Sequence, residues 1–194
     1  MKYLLTVFVL IIWVEAHSQS VPEVAQTQYE INRTGMLVLG SWALINLGSG
    51  ICGNAQFSGR QKYFHQMNAM WNTVNLGLAT AGYFGAKSLI NDPSLSSVVQ
   101  EQMSLENIFL LNTGLDVGYV MAGFFLRERS KNSSNNKNRL AGYGNSLLLQ
   151  GGFLFVFDLM MYGLHHSNAP SILNLTDQLS FHYIGSGLSI SLRL

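Results

Sequence analysis

The sequence predicts an all-α membrane protein, a four-helix transmembrane bundle that follows an N-terminal signal peptide. Three observations predict it. Only 11% of the 194 residues are charged, where soluble domains carry about 25%. The charges are also clustered: none lies between Arg33 and Arg60, and only Asp158 lies between Arg139 and Asp177. Finally, four apolar stretches approach the ~20 residues that a hydrocarbon core of ~30 Å demands. A charge at the bilayer centre costs roughly 2.5–3.5 kcal/mol, so a membrane-spanning chain has a reason to leave such gaps.

Taken in order, Lys2 precedes an apolar run from Tyr3 to Val14, and Ala16-His17-Ser18 supplies small residues at the cleavage-defining positions. This is the pattern of a secretory signal peptide over residues 1–18. Residues 19–33 are polar and are expected to be an exposed periplasmic segment. The membrane domain is expected over residues 34–166, with spans at 35–51, 67–90, 108–126 and 140–163. Between the second and third spans lies a connector with Pro93 and a short amphipathic stretch. Between the third and fourth, residues 130–138 carry no apolar side chain and suit a flexible surface loop. Residues 167–194 are expected to be a periplasmic tail. There Leu188, Ile190, Leu192 and Leu194 alternate with polar residues after Gly185-Ser186-Gly187, which fits a small C-terminal β-hairpin. A transmembrane barrel would need about eight or more such strands, which the chain lacks.

The loops set an orientation. Arg60 and Lys62 fall in the first loop, and Arg127, Arg129, Lys131, Lys137 and Arg139 around the third, whereas the second holds Asp92, Glu101 and Glu106. All the basic clusters share one side, which the positive-inside rule makes cytoplasmic. Both mature termini are then periplasmic, and the expected location is a bacterial inner membrane.

Polar residues recur at helical spacing on one face of each span. The second carries His65, Asn68, Asn72, Asn75, Ala79 and Gly82; the third Asn112, Asp116, Tyr119 and Gly123; the fourth Gly144, Gly151, Asp158 and His165, with Leu147 and Leu154 between. The first gives Leu39, Trp42, Asn46 and Ser49. Small and amide-bearing residues mark helix contacts in lipid, so these faces should meet at the bundle axis. Counting depth at about 1.5 Å per residue puts Asn75, Asp116 and Gln150 in one polar layer near the midplane, with Asn112 and Asp158 in a second layer nearer the periplasm. No lysine or arginine lies within a span to pair with either aspartate. Each carboxyl is therefore protonated, held by amides and tyrosine hydroxyls (Tyr119, Tyr162), or turned to water or a cation. Such residues are by default candidate functional groups, and the bland alternative is a neutral carboxyl fixing helix register. A short repetition, Trp42 before Asn46-Leu47-Gly48 and Trp71 before Asn75-Leu76-Gly77, hints at a duplicated hairpin.

Several function classes find no support. The net charge of +1 and the lack of a basic stripe give no sign of a nucleic-acid partner. The single cysteine, Cys52, rules out an internal disulfide and any cysteine-cluster metal site. No Gly-rich phosphate loop, HExxH, GxSxG or CxxC is present, so no cofactor is implied and no catalytic residue can be picked out. His165 and His166 are adjacent and point apart on a helix, and no metal site is expected.

The runs Phe64-His65-Gln66-Met67-Asn68-Ala69-Met70-Trp71-Asn72 and Asn112-Thr113-Gly114-Leu115-Asp116-Val117-Gly118-Tyr119, together with Gly142-Tyr143-Gly144 through Gln150-Gly151 to Phe157-Asp158, resemble a family of uncharacterised bacterial multi-pass membrane proteins. The resemblance covers most of residues 33–166. It implies the architecture and the same polar positions, and no activity.

The expectation is thus a non-enzymatic bundle that binds a small ligand, a lipid or a membrane partner, including a second copy, through its polar axis. The binding candidates are Asn75, Asn112, Asp116, Tyr119, Gln150 and Asp158, with His65, Asn68, Asn72 and His165 secondary. The alternatives are a small transporter or channel subunit using the aspartates for protons or cations, and an intramembrane enzyme with an Asp158–His165 acid–base pair. The orientation has a direct check. With Cys52 replaced, a cysteine at Ser134 is expected to resist a membrane-impermeant thiol reagent in intact spheroplasts, and ready labelling would reverse the topology.

Overall fold

The computed structural model of the chain describes residues 20–180, and these form five α-helices and no strand. They are α1 (Val21–Gln56), α2 (Gly59–Gly85), the single-turn α3 (Lys87–Asn91), α4 (Leu95–Lys131) and α5 (Lys137–Ser180). Helices α1, α4 and α5 are long and apolar enough to cross a membrane. The signal peptide expected over residues 1–18 and the hairpin strands expected at the C-terminus lie outside the described residues.

Two expectations change. Residues 21–33, taken from their polarity as an exposed leader, are the first turns of α1. Pro22 sits in the opening turn, and the Glu23 carboxylate accepts from the Ser20 N–H at 2.7 Å, a combination suited to a helix start. The tail expected from residue 167 instead continues α5 to Ser180, through Pro170. Proline costs a helix one hydrogen bond. Packing offsets that loss, because Ile172 and Leu175 bury against Val24, Ala25, Leu89 and Val98 in a core of their own. Isolated polarity misled in both places because the apolar positions are few but fall on one face.

Helix α2 is built inside-out. Asn68, Asn72 and Asn75 are buried, while Met70, Val74, Leu78 and Phe84 are exposed. Its overall hydropathy is low because its polar residues face protein. Outward apolar side chains also dominate α1, α4 and α5, as at Ile45, Leu111 and Met160. An apolar belt of this extent marks a surface made for lipid or for other protein.

Two antiparallel hairpins, α1–α2 and α4–α5, make the bundle. The α1–α2 turn is two residues long and depends on Gly59, whose φ of 58° lies in the left-handed region that favours glycine. Helix α5 is central and packs on α4, α2 and α1, whereas α2 and α4 share no packed interface. Glycines set the close crossings. A Cβ on Gly144 would lie 2.7 Å from the Gly123 carbonyl oxygen, and one on Gly53 would strike the His65 ring at 2.3 Å. Without a hydrophobic drive between helices in lipid, this backbone approach supplies much of the attraction.

Substitution should separate these glycines. Gly144→Leu drives a side chain into the α4 backbone and is expected to lower stability by about 1–3 kcal/mol or more. Gly114→Ala, with nothing within 4 Å of the new Cβ, is expected to be neutral or to stabilise by up to about 1 kcal/mol. Thermal unfolding in mild detergent reads both, and equal losses would contradict the packing described.

Candidate functional site

The polar stripes meet at the axis in three separate assemblies. Toward the end carrying the 132–136 connector, an amide layer joins three helices. Trp42 Nε1 donates to Gln150 Oε1 at 2.9 Å, and Asn68 Nδ2 donates to Asn46 Oδ1 at 2.9 Å. Gln150 Nε2 donates to Asn68 Oδ1 and, at 3.5 Å, to Asn46 Oδ1. Asn72 Nδ2 closes onto the Asn68 carbonyl at 2.8 Å. The Trp42 ring stacks on Phe153 at 3.8 Å between centroids. These groups largely satisfy one another, as buried amides must.

This placement corrects the single midplane layer expected from depth counting. Gln150 lies with Asn46 and Asn68, while Asp116 faces Asp158 of α5. Counting from the loops assumed that the spans begin level with one another. In fact the α4–α5 register follows the contact of Gly144 with Gly123 and of Gly151 with Tyr119 and Val120. That register places Gln150 about one turn nearer the connector than Asp116.

The second assembly is a cleft between α2 and α4. Because those helices do not pack together, a cavity of about 150 Å³ remains between them, floored by α1 and α5. Leu39, Trp71, Asn75, Asn112, Asp116, Tyr119, Leu154 and Asp158 line it. Asp116 and Asp158 approach each other at the floor of this cavity, with Asn112 beside them. Two carboxyls brought together without a cation share a proton at lower cost than they hold two charges. Asp116 Oδ2, Asn75 Nδ2 and Trp71 Nε1 are buried there with no hydrogen-bond partner in the protein. Trp71 meets Tyr119 edge-on at 4.7 Å and bridges the cleft on its connector side. The rim is apolar, with Val74, Leu78 and Leu115 exposed.

Above it a second cavity of about 240 Å³ shares Leu39, Leu78, Asn112 and Asp158 with the first and extends to Asn32, Gly85 and Glu101. A wider groove of about 550 Å³ lies between α1 and α5. Its walls are almost entirely aliphatic and aromatic, with Glu30 and Thr34 near one end. Recognition needs convergent polar groups, so the smaller cleft is the better site.

The third assembly lies toward the α3 end. Gln28 Nε2 donates to Gln102 Oε1 at 2.8 Å, and Gln102 Nε2 donates to Glu106 Oε1 and to the His165 carbonyl, both at 2.6 Å. His165 is fully buried, its ring stacked on Phe109 at 5.6 Å. His166 turns outward to Glu106 at 3.5 Å and stacks on Tyr162, and Tyr162 lines neither cavity of the cleft. His165 has no side-chain hydrogen bond and lines neither cavity of the cleft. The structure therefore does not join it to Asp158. His65 lies at the opposite end, stacked on Phe57 at 5.3 Å. Among the described residues no group of three or more His, Cys, Asp or Glu side chains is placed to hold a metal.

Sequence reasoning picked out Asn75, Asn112, Asp116, Tyr119 and Asp158, which the structure brings to one cleft. It separated Gln150 from its true partners and passed over Trp71 as a lining residue and Glu101 as the far wall. The recurring Trp-x-x-x-Asn was the available signal for Trp71. Its two copies do different things, since Trp42 bonds in the amide layer and Trp71 lines the cleft.

A model of the family of unknown function DUF6992 matches residues 38–159, a stretch that takes in the amide layer and the carboxyl pair. No curated protein and no solved structure matches the chain.

The amide layer yields its own test. Gln150→Leu strips the partner from Trp42 Nε1 and a donor from Asn68 Oδ1, at about 1–3 kcal/mol for each buried group left unpaired. The expected result is a lower unfolding temperature and a changed Trp42 emission, and an unchanged unfolding temperature would mean that the layer is not the clasp described.

Proposed function

The chain belongs to DUF6992, a family of unknown function, and because that membership supplies no activity we propose one from the geometry: a four-span integral membrane protein that binds the polar head of a lipid-soluble small molecule in the cleft between α2 and α4. Four spans rather than three follow from α2. From His65 to its end at Gly85 it carries no charge, about 30 Å, and α4 from Glu106 to Arg127 covers about 32 Å. Both match a core of ~30 Å. The basic clusters at the connector end orient that end to the cytoplasm, in an inner membrane.

The observation that carries the binding reading is a lipid-facing cleft with an apolar rim and a floor of two carboxyls that no lysine or arginine offsets. An amphiphile can enter sideways from one leaflet and keep its tail against Val74, Leu78 and Leu115 while its head reaches the floor. Both cavities are smaller than the ~300–1,000 Å³ of drug-sized sites, so the cleft takes a head group and leaves the tail in lipid. The chemistry of the floor selects the head. Carboxylate oxygens accept hydrogen bonds, and Trp71 and Tyr119 present aromatic rings suited to a cation. A head that donates hydrogen bonds and carries a positive charge, such as an amine, fits best.

Native mass spectrometry on protein extracted in mild detergent tests this. The expected result is a retained small molecule that is lost in Asp158→Asn and kept in Glu30→Gln, since Glu30 lies on the far groove. Losing a charge-assisted contact worth about 1.5–3 kcal/mol weakens binding by about 10- to 100-fold. A molecule held equally by both variants, or none held by the unaltered protein, would remove the reading.

A further inference from the structure

We propose that the Asp116–Asp158 pair exchanges its proton with one side of the membrane only, the side carrying α3, along the cavity that reaches Glu101. The inference rests on the cleft as the binding site and adds what controls it: release of the proton leaves a negative floor that receives a cationic head group.

Three features carry it. The first is continuity. Asn112 and Asp158 line both cavities, and the larger one runs from them to Glu101 and Asn32. Glu101 precedes Asp116 by 15 residues, about 22 Å along α4. It therefore stands where the cavity leaves the spanning segment.

The second is closure at the other end. Below the pair, Trp71 meets Tyr119, and beyond them lie the amide layer and the close contact of Gly144 with the Gly123 carbonyl oxygen. Neither cavity of the cleft is lined by Trp42, Asn46, Asn68 or Gln150 of that layer.

The third is the character of the walls. Asp116 and Asn75 are 2% and 3% exposed, and each turns an unpartnered polar atom into the cleft. The titratable groups facing this path are Glu101, Asp116 and Tyr119 from α4 and Asp158 from α5. Helices α1 and α2 contribute none. Arg33, the nearest cation on α1, pairs with Glu30 at 3.4 Å and lines neither cavity. A path walled by acids with no fixed cation favours positive charge.

The direct meeting of two carboxyls selects the proton as the ligand. Among the described residues no group of three or more His, Cys, Asp or Glu is placed to hold a metal ion, whereas two facing carboxyls need only one proton to shed one of their two charges. In the exchange the O–H bond of the shared carboxyl breaks. The proton passes through water to the Glu101 carboxylate and then to bulk, and the pair retains the electron pair as a second negative charge.

The test is a stopped-flow pH jump on proteoliposomes of known orientation, read by Trp71 emission, with Trp71→Phe protein supplying the background. A jump on the α3 side is expected to change the emission promptly, and a jump on the connector side to change it only as the gradient decays. Asp158→Asn is expected to abolish the signal. Glu101→Gln, at a half-buried wall position that tolerates an amide, should slow it several-fold. A prompt response from the connector side, a response that survives Asp158→Asn, or no response in the unaltered protein would overturn the proposal. A one-sided response from protein that retains no small molecule would keep the proton site and remove the cleft ligand. A retained molecule with no response would do the reverse.

Discussion

A polar group that enters hydrocarbon has to find its partner within the protein, because no water is there to serve it. Most of the architecture follows from this constraint. It turns Asn68 and Asn72 of α2 inward, joining Asn68 to Asn46 and Gln150 across three helices and Asn72 back to Asn68. It explains why α2, which looks polar when read as a segment, presents Met70, Val74 and Leu78 outward. It also picks out a cluster of exceptions at the cleft. Asp116 Oδ2, Asn75 Nδ2 and Trp71 Nε1 go without partners side by side, and they line one cavity.

The cleft itself comes from how the two hairpins dock. Helix α5 is central, and its glycines let α4 and α2 approach it closely from two directions. Helix α4 spends Gly123 on α5, α2 meets α1 through Ala69, Ala79 and Gly82 and meets α5 at Gly142, and α2 and α4 are left facing each other across a gap. The edge contact of Trp71 with Tyr119 spans that gap. A groove that is apolar at its rim and acidic at its floor is the consequence, and its chemistry suits a head group carried by a lipid-soluble tail.

The α3 end builds a second core from parts that read as leader and tail. Val24, Ala25, Val98, Ile172 and Leu175 pack there, above the buried link from Gln28 through Gln102 to Glu106. Together they hold the ends of α1, α4 and α5, and so keep the Glu101 end of the larger cavity at a defined place. Glu101 gains its position from this packing and from no motif in its own neighbourhood.

Much of this was legible before any coordinates. Charge spacing located the apolar stretches, and the recurrence of Asn68, Asn72 and Asn75, of Asn112 and Asp116, and of Gly144, Gly151 and Asp158 marked the inward faces, because a residue's face depends only on the 3.6-residue turn of its own helix. What no helix carries alone is its register against the next. Whether Gln150 meets Asp116 or Asn68, whether Asp158 meets Asp116 or His165, and whether α2 touches α4 are decided where Gly123, Gly144 and Gly151 let backbones close to contact. The sequence by itself therefore determined the helices and their polar faces. The tertiary structure alone decided which faces meet and where a cleft remains, because register is a property of two packed surfaces and is written in neither one.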